Sequence, residues 1–111
     1  MKVGIIGLTL QAAPRIINNP AVMLRGLTFA PEAKAANDAA KTLRRQGVRA
    51  IVAVIHEGGD PAKDDYNGCA DVTGPIMSIA REMTDDIAVV VSGHSHQAYN
   101  CTVDGKVVRS A

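Results

Sequence analysis

The stretch VVVSGHSHQAYN, residues 89–100, contains two signals that together indicate the fold. It begins inside an apolar run, Ile87–Val91, whose length and branched side chains are typical of a buried β-strand. A serine and a glycine then break the strand, and His94 and His96 follow with one serine between them. The pattern predicts a buried strand that delivers two imidazoles to a loop at its carboxyl end.

Periodicity and turn residues on both sides of this stretch predict the remaining elements. Asp104-Gly105 between two β-rich runs predicts a hairpin. Residues 11–27, interrupted by prolines and a glycine, read as a long surface connection. The predicted strands and helices are Lys2–Leu8, Pro31–Gln46 as a helix with an alanine stripe, Ala50–Ile55, a helix that Asp71 or Thr73 caps and that reaches about Thr84, and Ile87–Val91.

Strands that are apolar throughout and alternate with helices predict an α/β fold with a mostly parallel sheet, covering helices and a C-terminal β-hairpin. The 111 residues are enough for one small domain. A net charge of +1 gives no electrostatic case for nucleic acid or an anionic membrane as a partner. No apolar run approaches the ~18 residues that a membrane span needs.

All three histidines of the chain follow a predicted strand directly or after a short turn. His56 follows Ala50–Ile55, and His94 and His96 follow Ile87–Val91. Neighbouring parallel strands end at the same edge of a sheet, so the three imidazoles should meet there as a divalent-metal site. The alternative is that the histidines are incidental. Nearby glycines (Gly58, Gly59, Gly93) would permit close backbone approach, and loop carboxylates could complete the site, although solvated carboxylates are commoner (Glu57, Asp60, Asp64, Asp65).

Cys69 and Cys101 leave two possibilities open, a pair of small buried hydrophobic residues or one disulfide in an exported protein. Cys69 has no basic neighbour to lower its pKa, which argues against a catalytic thiol. Ser95 lies between two histidines but lacks the strand–turn–helix context of a serine nucleophile. Neither residue is therefore assigned a catalytic role, and no catalytic residue is predicted within this chain.

Three stretches resemble the later part of the metallophosphoesterase domain of the 5'-nucleotidase family, which belongs to the calcineurin-like superfamily. They are KVGIIGLTL (residues 2–10), LRRQGVRAIVAVIHEGG (43–59) and the opening stretch. The resemblance implies part of an αββα sandwich with a two-metal centre of zinc or manganese. His56 and His94 would bind one ion and His96 the other. A metal-bound hydroxide would attack a nucleotide phosphate, and the family's usual export would favour a disulfide between the cysteines.

The family's early motifs, Asp-x-His, Gly-Asp and Gly-Asn-His, do not occur at matching places in this chain. Residues 1–111 therefore look like the second portion of the domain, without its early metal motifs or the nucleoside-binding domain. The parent would be an exported hydrolase of the 5'-nucleotidase or 2',3'-cyclic-nucleotide phosphodiesterase type. The chain alone would be almost inactive and would form homo-oligomers through an exposed sheet face. The alternative function is a non-enzymatic α/β interaction module.

Overall fold

Five strands and four short to medium helices make up the described part of the chain, residues 1–63 and 66–110 of a computed structural model. Prediction and structure agree on the bounds of the second and third strands. The elements are β1 (Val3–Leu8), α1 (Ala13–Ile16), α2 (Pro20–Met23), α3 (Glu32–Arg45), β2 (Ala50–Ile55), α4 (Pro75–Glu82), β3 (Ile87–Val91), β4 (Tyr99–Val103) and β5 (Lys106–Ser110).

The strands form one sheet in the order β1-β2-β3-β5-β4. β1, β2, β3 and β5 are parallel, and β4 pairs antiparallel with β5. The predicted class, a mostly parallel α/β sheet with a C-terminal hairpin, is therefore confirmed. Asp104 and Gly105 form the hairpin turn with φ values of 47° and 80°, as expected for a two-residue loop in which both residues are left-handed.

The two longer helices, α3 and α4, lie on the same face of the sheet. Crossovers between parallel strands are nearly always right-handed, so two successive crossovers that move in the same direction put their helices on one side. Asn37 of α3 connects the helices, because its amide donates to the carbonyl of Glu82 at 3.0 Å and accepts from the N–H of Thr84 at 2.7 Å. Ala36 and Ala40 are fully buried, and their small side chains allow α3 to lie close to the strands.

No helix among residues 1–63 and 66–110 covers the other face of the sheet, which is called the open face below. Successive side chains of each strand point alternately to this face and to the buried face. Ile5 is 71% exposed, Val3 53%, Val54 44% and Val91 43%. The strand register places the following apolar side chains on this face: Val3, Ile5, Val52, Val54, Val89, Val91 and Val107.

The connection from residue 11 to 27 lies largely at the surface, as expected, and also contains the one-turn helices α1 and α2, whose Pro14 and Pro20 occupy first-turn positions where a missing N–H costs nothing. Two expectations about helix starts were wrong. Helix α3 begins at Glu32, with Pro31 in the flanking cap position. Neither Asp71 nor Thr73 caps α4, which instead begins at Pro75 after Gly74. None of the helices in the described ranges is long and apolar enough to cross a lipid bilayer.

Candidate functional site

His56 and His94 meet at the carboxyl edge of the sheet, although 38 positions separate them. Nε2 of His56 lies 3.2 Å from Nδ1 of His94. The ring centroids are 5.0 Å apart and the ring planes are inclined by 72°. Both side chains are exposed, so the pair is open to ligands from solvent. The parallel pairing of β2 with β3 brings the two residues together, because the strands end side by side.

The backbone of the loop after β3 is unusual at both of its histidines. His94 has φ 68° and His96 has φ 56°. A left-handed conformation costs a non-glycine residue roughly 1–2 kcal/mol. Residues in such conformations cluster at binding and catalytic sites, where the surrounding structure holds them. Asn19, Asp71 and Asp104 have the same conformation elsewhere in the chain, but His94 and His96 are two such residues within one short loop.

Close contact between the two histidine loops fixes their separation. A Cβ atom added at Gly58 would lie 2.6 Å from Oγ of Ser95 and would also collide with the carbonyl of Gly93. Ser95 Oγ donates to the carbonyl of Gly59 at 2.7 Å, so its hydroxyl holds the loops together. The expected close approach is present at Gly58 and Gly59, whereas a Cβ at Gly93 would meet nothing within 4 Å.

A buried hydroxyl pair anchors the start of the β3 loop to the hairpin. Ser92 Oγ and Tyr99 Oη lie 2.6 Å apart. The Ser92 hydroxyl also lies 2.9 Å from the carbonyl of Arg109, within hydrogen-bond distance, and the Ser92 N–H donates to the same oxygen at 2.8 Å. Sequence reasoning missed this contribution of Tyr99. The signal was present, since one of only two tyrosines follows the histidine loop by three residues and a buried tyrosine hydroxyl usually has a partner.

The other candidate ligands lie in different surroundings. Within the described part of the chain, His96 is exposed and makes no hydrogen bond or ring contact with His56 or His94. Glu57 is 8% exposed and accepts the N–H of Gly58, so the expectation that it is a solvated carboxylate was wrong. It continues the alternation of buried residues along β2 and lines a cavity together with Pro75 and Ile79 of α4. Asp60 is exposed and pairs through its backbone with Thr73. Asp64 and Asp65 lie outside the described residues.

The His56–His94 pair has the spacing of two ligands on one ion. Metal–imidazole nitrogen distances are roughly 2.0–2.1 Å, so neighbouring ligands at tetrahedral or octahedral angles lie about 2.9–3.4 Å apart. The observed separation of 3.2 Å falls within that range. Over residues 1–63 and 66–110, no group of three or more His, Cys, Asp or Glu side chains is close enough to hold an ion. The described residues therefore place two imidazole nitrogens at this spacing, with no third candidate ligand beside them.

The cysteines form a disulfide, Cys69–Cys101, with a Cα–Cα distance of 4.9 Å. It joins the loop after β2 to β4, and the N–H of Asn100 donates to the carbonyl of Gly68 at 3.0 Å beside it. The sequence left this pairing open. The bond links the loop that follows His56 to the hairpin that follows His96, so both histidine loops are attached to the β4–β5 hairpin.

A second charged region lies at the opposite edge of the sheet, where β2 and β3 begin. A cavity of about 630 Å³ is lined there by four cationic side chains. Asp86 pairs with Arg44 at 3.0 Å, and a hydrogen bond and charge from Lys34 hold the pKa of Asp38 below its ordinary value. The cavity lies at the opposite end of the strands from the three histidines. The four cations are Lys41, Arg44, Arg45 and Arg49.

Comparison with known proteins gives one informative match. The chain is 31% identical over all 111 of its residues to a protein named Endonuclease YhcR from Bacillus subtilis (strain 168). The alignment takes in 100% of this chain and 8% of that protein, so the chain spans a small part of its relative's length. No protein-family model matches the chain. The similarity to a nuclease points at most to phosphodiester hydrolysis as a distant functional relationship.

Proposed function

We propose that residues 1–111 are the later portion of a metallophosphoesterase domain of the 5'-nucleotidase type, which contributes metal ligands for hydrolysis of a phosphate ester. The observation that carries this proposal is the 3.2 Å approach of His56 Nε2 to His94 Nδ1 at the carboxyl edge of a parallel sheet. The left-handed backbone at His94 and His96 supports it, because strain of this kind persists where a site needs it.

The substrate class follows from the relative and from the resemblance. The relative is named an endonuclease, and the 5'-nucleotidase pattern implies nucleotide phosphates. Both contain a phosphoric ester, so the shared chemistry is attack on phosphorus in a nucleotide or a polynucleotide. The composition favours the smaller substrate, since a net charge of +1 supplies little general attraction for a nucleic-acid backbone.

Each residue of the site has a distinct task. His56 and His94 would hold one divalent cation through their facing nitrogens, and His96 would hold a second cation in the complete domain. Imidazole donors suit zinc, and the family resemblance implies zinc or manganese. Bound cations would polarise the ester and neutralise the charge that develops on its oxygens. Ser95 and Gly58 hold the two loops at the distance that one shared ion requires.

The isolated chain should bind metal weakly and turn over substrate at a background rate. A pair of imidazoles is an incomplete ligand set, and the described residues place no carboxylate beside the pair. Structural and catalytic zinc sites in proteins use three or four protein ligands. The remaining ligands would come from a parent protein, for which the 8% coverage of the relative leaves ample room.

The competing function is a non-enzymatic interaction module in which the histidines are incidental. The open face favours it, because an uncovered apolar surface of this kind marks an interaction site. The two functions differ in metal dependence. An interaction module has a melting temperature that chelator does not change, whereas ion binding stabilises the folded state by about 2.7 kcal/mol at a free concentration 100 times Kd.

Calorimetric titration of the untagged protein with zinc or manganese chloride tests the proposal. The wild type should bind, and the double variant His94→Ala, His96→Ala should lose binding and the metal-induced rise in melting temperature. Gln97→Ala in the same loop leaves every imidazole in place and should bind as the wild type does. Undiminished binding in the double variant, or no binding by the wild type at millimolar metal, would overturn the assignment.

A further inference from the structure

The cavity with four cations at the amino edge of the sheet, called the cationic cavity below, is built on the helix side of the molecule. Its volume of about 630 Å³ lies within the ~300–1,000 Å³ range of sites for small molecules. One wall is α3 from Asn37 onward, and the others are the turns that lead into β2 and β3. A layer packed on the open face would therefore leave this cavity in contact with solvent.

The backbone at the end of α3 brings Arg49 into the cationic cavity. Gly47 has φ 80°, the left-handed conformation of a glycine that ends a helix. The N–H of Gly47 donates to the carbonyl of Arg44 at 3.0 Å, and the N–H of Val48 donates to that of Leu43 at 3.1 Å. These two bonds form a Schellman motif, which turns the chain away from the helix axis. Arg49 therefore lines the same cavity as the cations of α3.

Three of the four cations are not neutralised by the described part of the chain. Arg44 Nε pairs with Asp86 at 3.0 Å. Lys41, Arg45 and Arg49 form no ion pair within residues 1–63 and 66–110. Lys41 and Arg45 are four residues apart on α3, a spacing at which like charges repel each other. The fold therefore concentrates positive charge that a bound anion would neutralise.

The helix dipole explains only part of this charge. Arg44 and Arg45 lie in the last turn of α3, where the partial negative charge of the helix end favours cations. The carbonyls at this end already accept the backbone N–H groups of the Schellman motif, so they need no side-chain donor. Lys41 and Arg49 lie outside the last turn, and their position at the same cavity needs another explanation.

We propose that the cationic cavity binds a small phosphorylated molecule that also carries hydroxyl groups, the chemistry that nucleotides and sugar phosphates share. Guanidinium groups bind phosphate oxygens through paired N–H donors, and Arg45, Arg49 and Lys41 supply the unpaired charge. Asp38 and Asp86 also line the cavity. Their carboxylates accept hydrogen bonds from ligand hydroxyl groups and repel a phosphate compound that has none.

This site goes beyond the proposed metal site and does not depend on it. Strand β2 has six residues, so its two ends are on the order of 20 Å apart, and one small ligand does not contact both edges of the sheet. The walls of the cavity are also fixed before a ligand binds. Asn37 of α3 holds Glu82 and Thr84 by hydrogen bonds, and a preformed site loses less entropy on binding.

Calorimetric titration with ADP and with ribose 5-phosphate, at low salt and with chelator present, tests this site separately from metal binding. The wild type should bind at least one of them, and more tightly than it binds pyrophosphate. Binding of ADP alone would assign the ligand to the nucleotides, and equal binding of both would assign it to the sugar phosphates. The double variant His94→Ala, His96→Ala should bind as the wild type does, so failure of the metal proposal would leave this result unchanged.

Arg45→Gln and Arg49→Gln should each weaken binding about 10-fold or more, because each removes a charge-assisted hydrogen bond. Arg25→Gln is the matched control, since Arg25 is exposed and lies outside the cavity. Unchanged melting temperatures would show that all three variants are folded.

Three results would overturn the proposal. The first is no binding of either ligand by the wild type at millimolar concentration. The second is an equal loss in Arg25→Gln and in the two cavity variants, which would indicate attraction by overall charge. The third is pyrophosphate that binds as tightly as the better organic ligand, because Asp38 and Asp86 would then have no part in recognition.

Discussion

Nδ1 of His94 faces Nε2 of His56 at 3.2 Å, and the residue that makes this approach has a left-handed backbone. Without a metal, one ring donates its N–H to the other, and the tautomers decide which. The hydrogen bond is therefore available to hold the loop in a conformation that its backbone disfavours. The site therefore combines an unfavourable backbone conformation at His94 with a contact between two imidazoles that forms only in the folded chain.

Comparing glycine with alanine at position 94 separates the free-energy cost of the left-handed backbone from the loss of the contact with His56. Both variants lose the imidazole, but only alanine keeps the penalty of φ 68°, because glycine adopts this region freely. His94→Gly should therefore be more stable than His94→Ala by about 1 kcal/mol. Urea unfolding monitored by circular dichroism measures the difference. Equal stabilities would mean that the loop relaxes out of the left-handed region once the ring is removed.

Gly58→Ala should be strongly destabilising, because its new Cβ would press on Ser95 and on the Gly93 carbonyl. Overpacking of this kind costs roughly 1–3 kcal/mol. The separation of the histidine loops should increase as well, with weaker zinc binding. Gly93→Ala, in the same contact region but with open space at its Cβ, should change stability by less than about 0.5 kcal/mol. Comparable losses in both variants would contradict the steric explanation.

Tyr99→Phe removes the hydroxyl that meets Ser92 in a buried setting. The loss should be about 1 kcal/mol in free energy of unfolding, since Ser92 keeps its contact with the Arg109 carbonyl. Tyr66→Phe offers the control, because Tyr66 is 79% exposed and its hydroxyl can remain hydrated. Chemical denaturation of the two variants side by side should give Tyr99→Phe a clearly lower free energy of unfolding than Tyr66→Phe. The reverse order would show that the Tyr99 hydroxyl does not stabilise the histidine loop.

Removal of the disulfide should destabilise the chain by about 3–4 kcal/mol, the loss expected for a bond that closes a loop of this length. The sequence separation between Cys69 and Cys101 is 32 residues. Guanidinium unfolding should show this loss in free energy of unfolding for the double variant Cys69→Ala, Cys101→Ala and also for the reduced wild type. Reductant should have no effect on the double variant. A wild type whose midpoint does not move on full reduction would refute the prediction.

Much of the fold follows from short-range patterns. The apolar runs 50–55 and 87–91 are flanked by turn residues, and Asp104-Gly105 has the conformational freedom that a tight hairpin needs. Strand order is different, because it depends on contacts between distant residues. Nothing in the sequence indicates that β5, and not β4, pairs with β3.

The site could be predicted only in part for the same reason. The meeting of His56 with His94 follows from a topological rule about parallel strands. The left-handed conformation at His94 and His96 does not, because histidine adopts it more often than most residues but nothing in the sequence indicates which histidines will do so. The burial of Glu57 also depends on strand alternation continuing one step beyond β2, which a loop rich in glycine and aspartate did not indicate.

The position of β5 has a consequence for biosynthesis. β5 is the last of the five strands to leave the ribosome, yet it lies between β3 and β4. Until it arrives, the edge of β3 is a row of unpaired backbone groups beside valine side chains, the kind of surface that recruits other nascent chains. Insertion of the final hairpin therefore competes kinetically with intermolecular strand pairing. A chaperone that binds the chain at this stage would favour the native product.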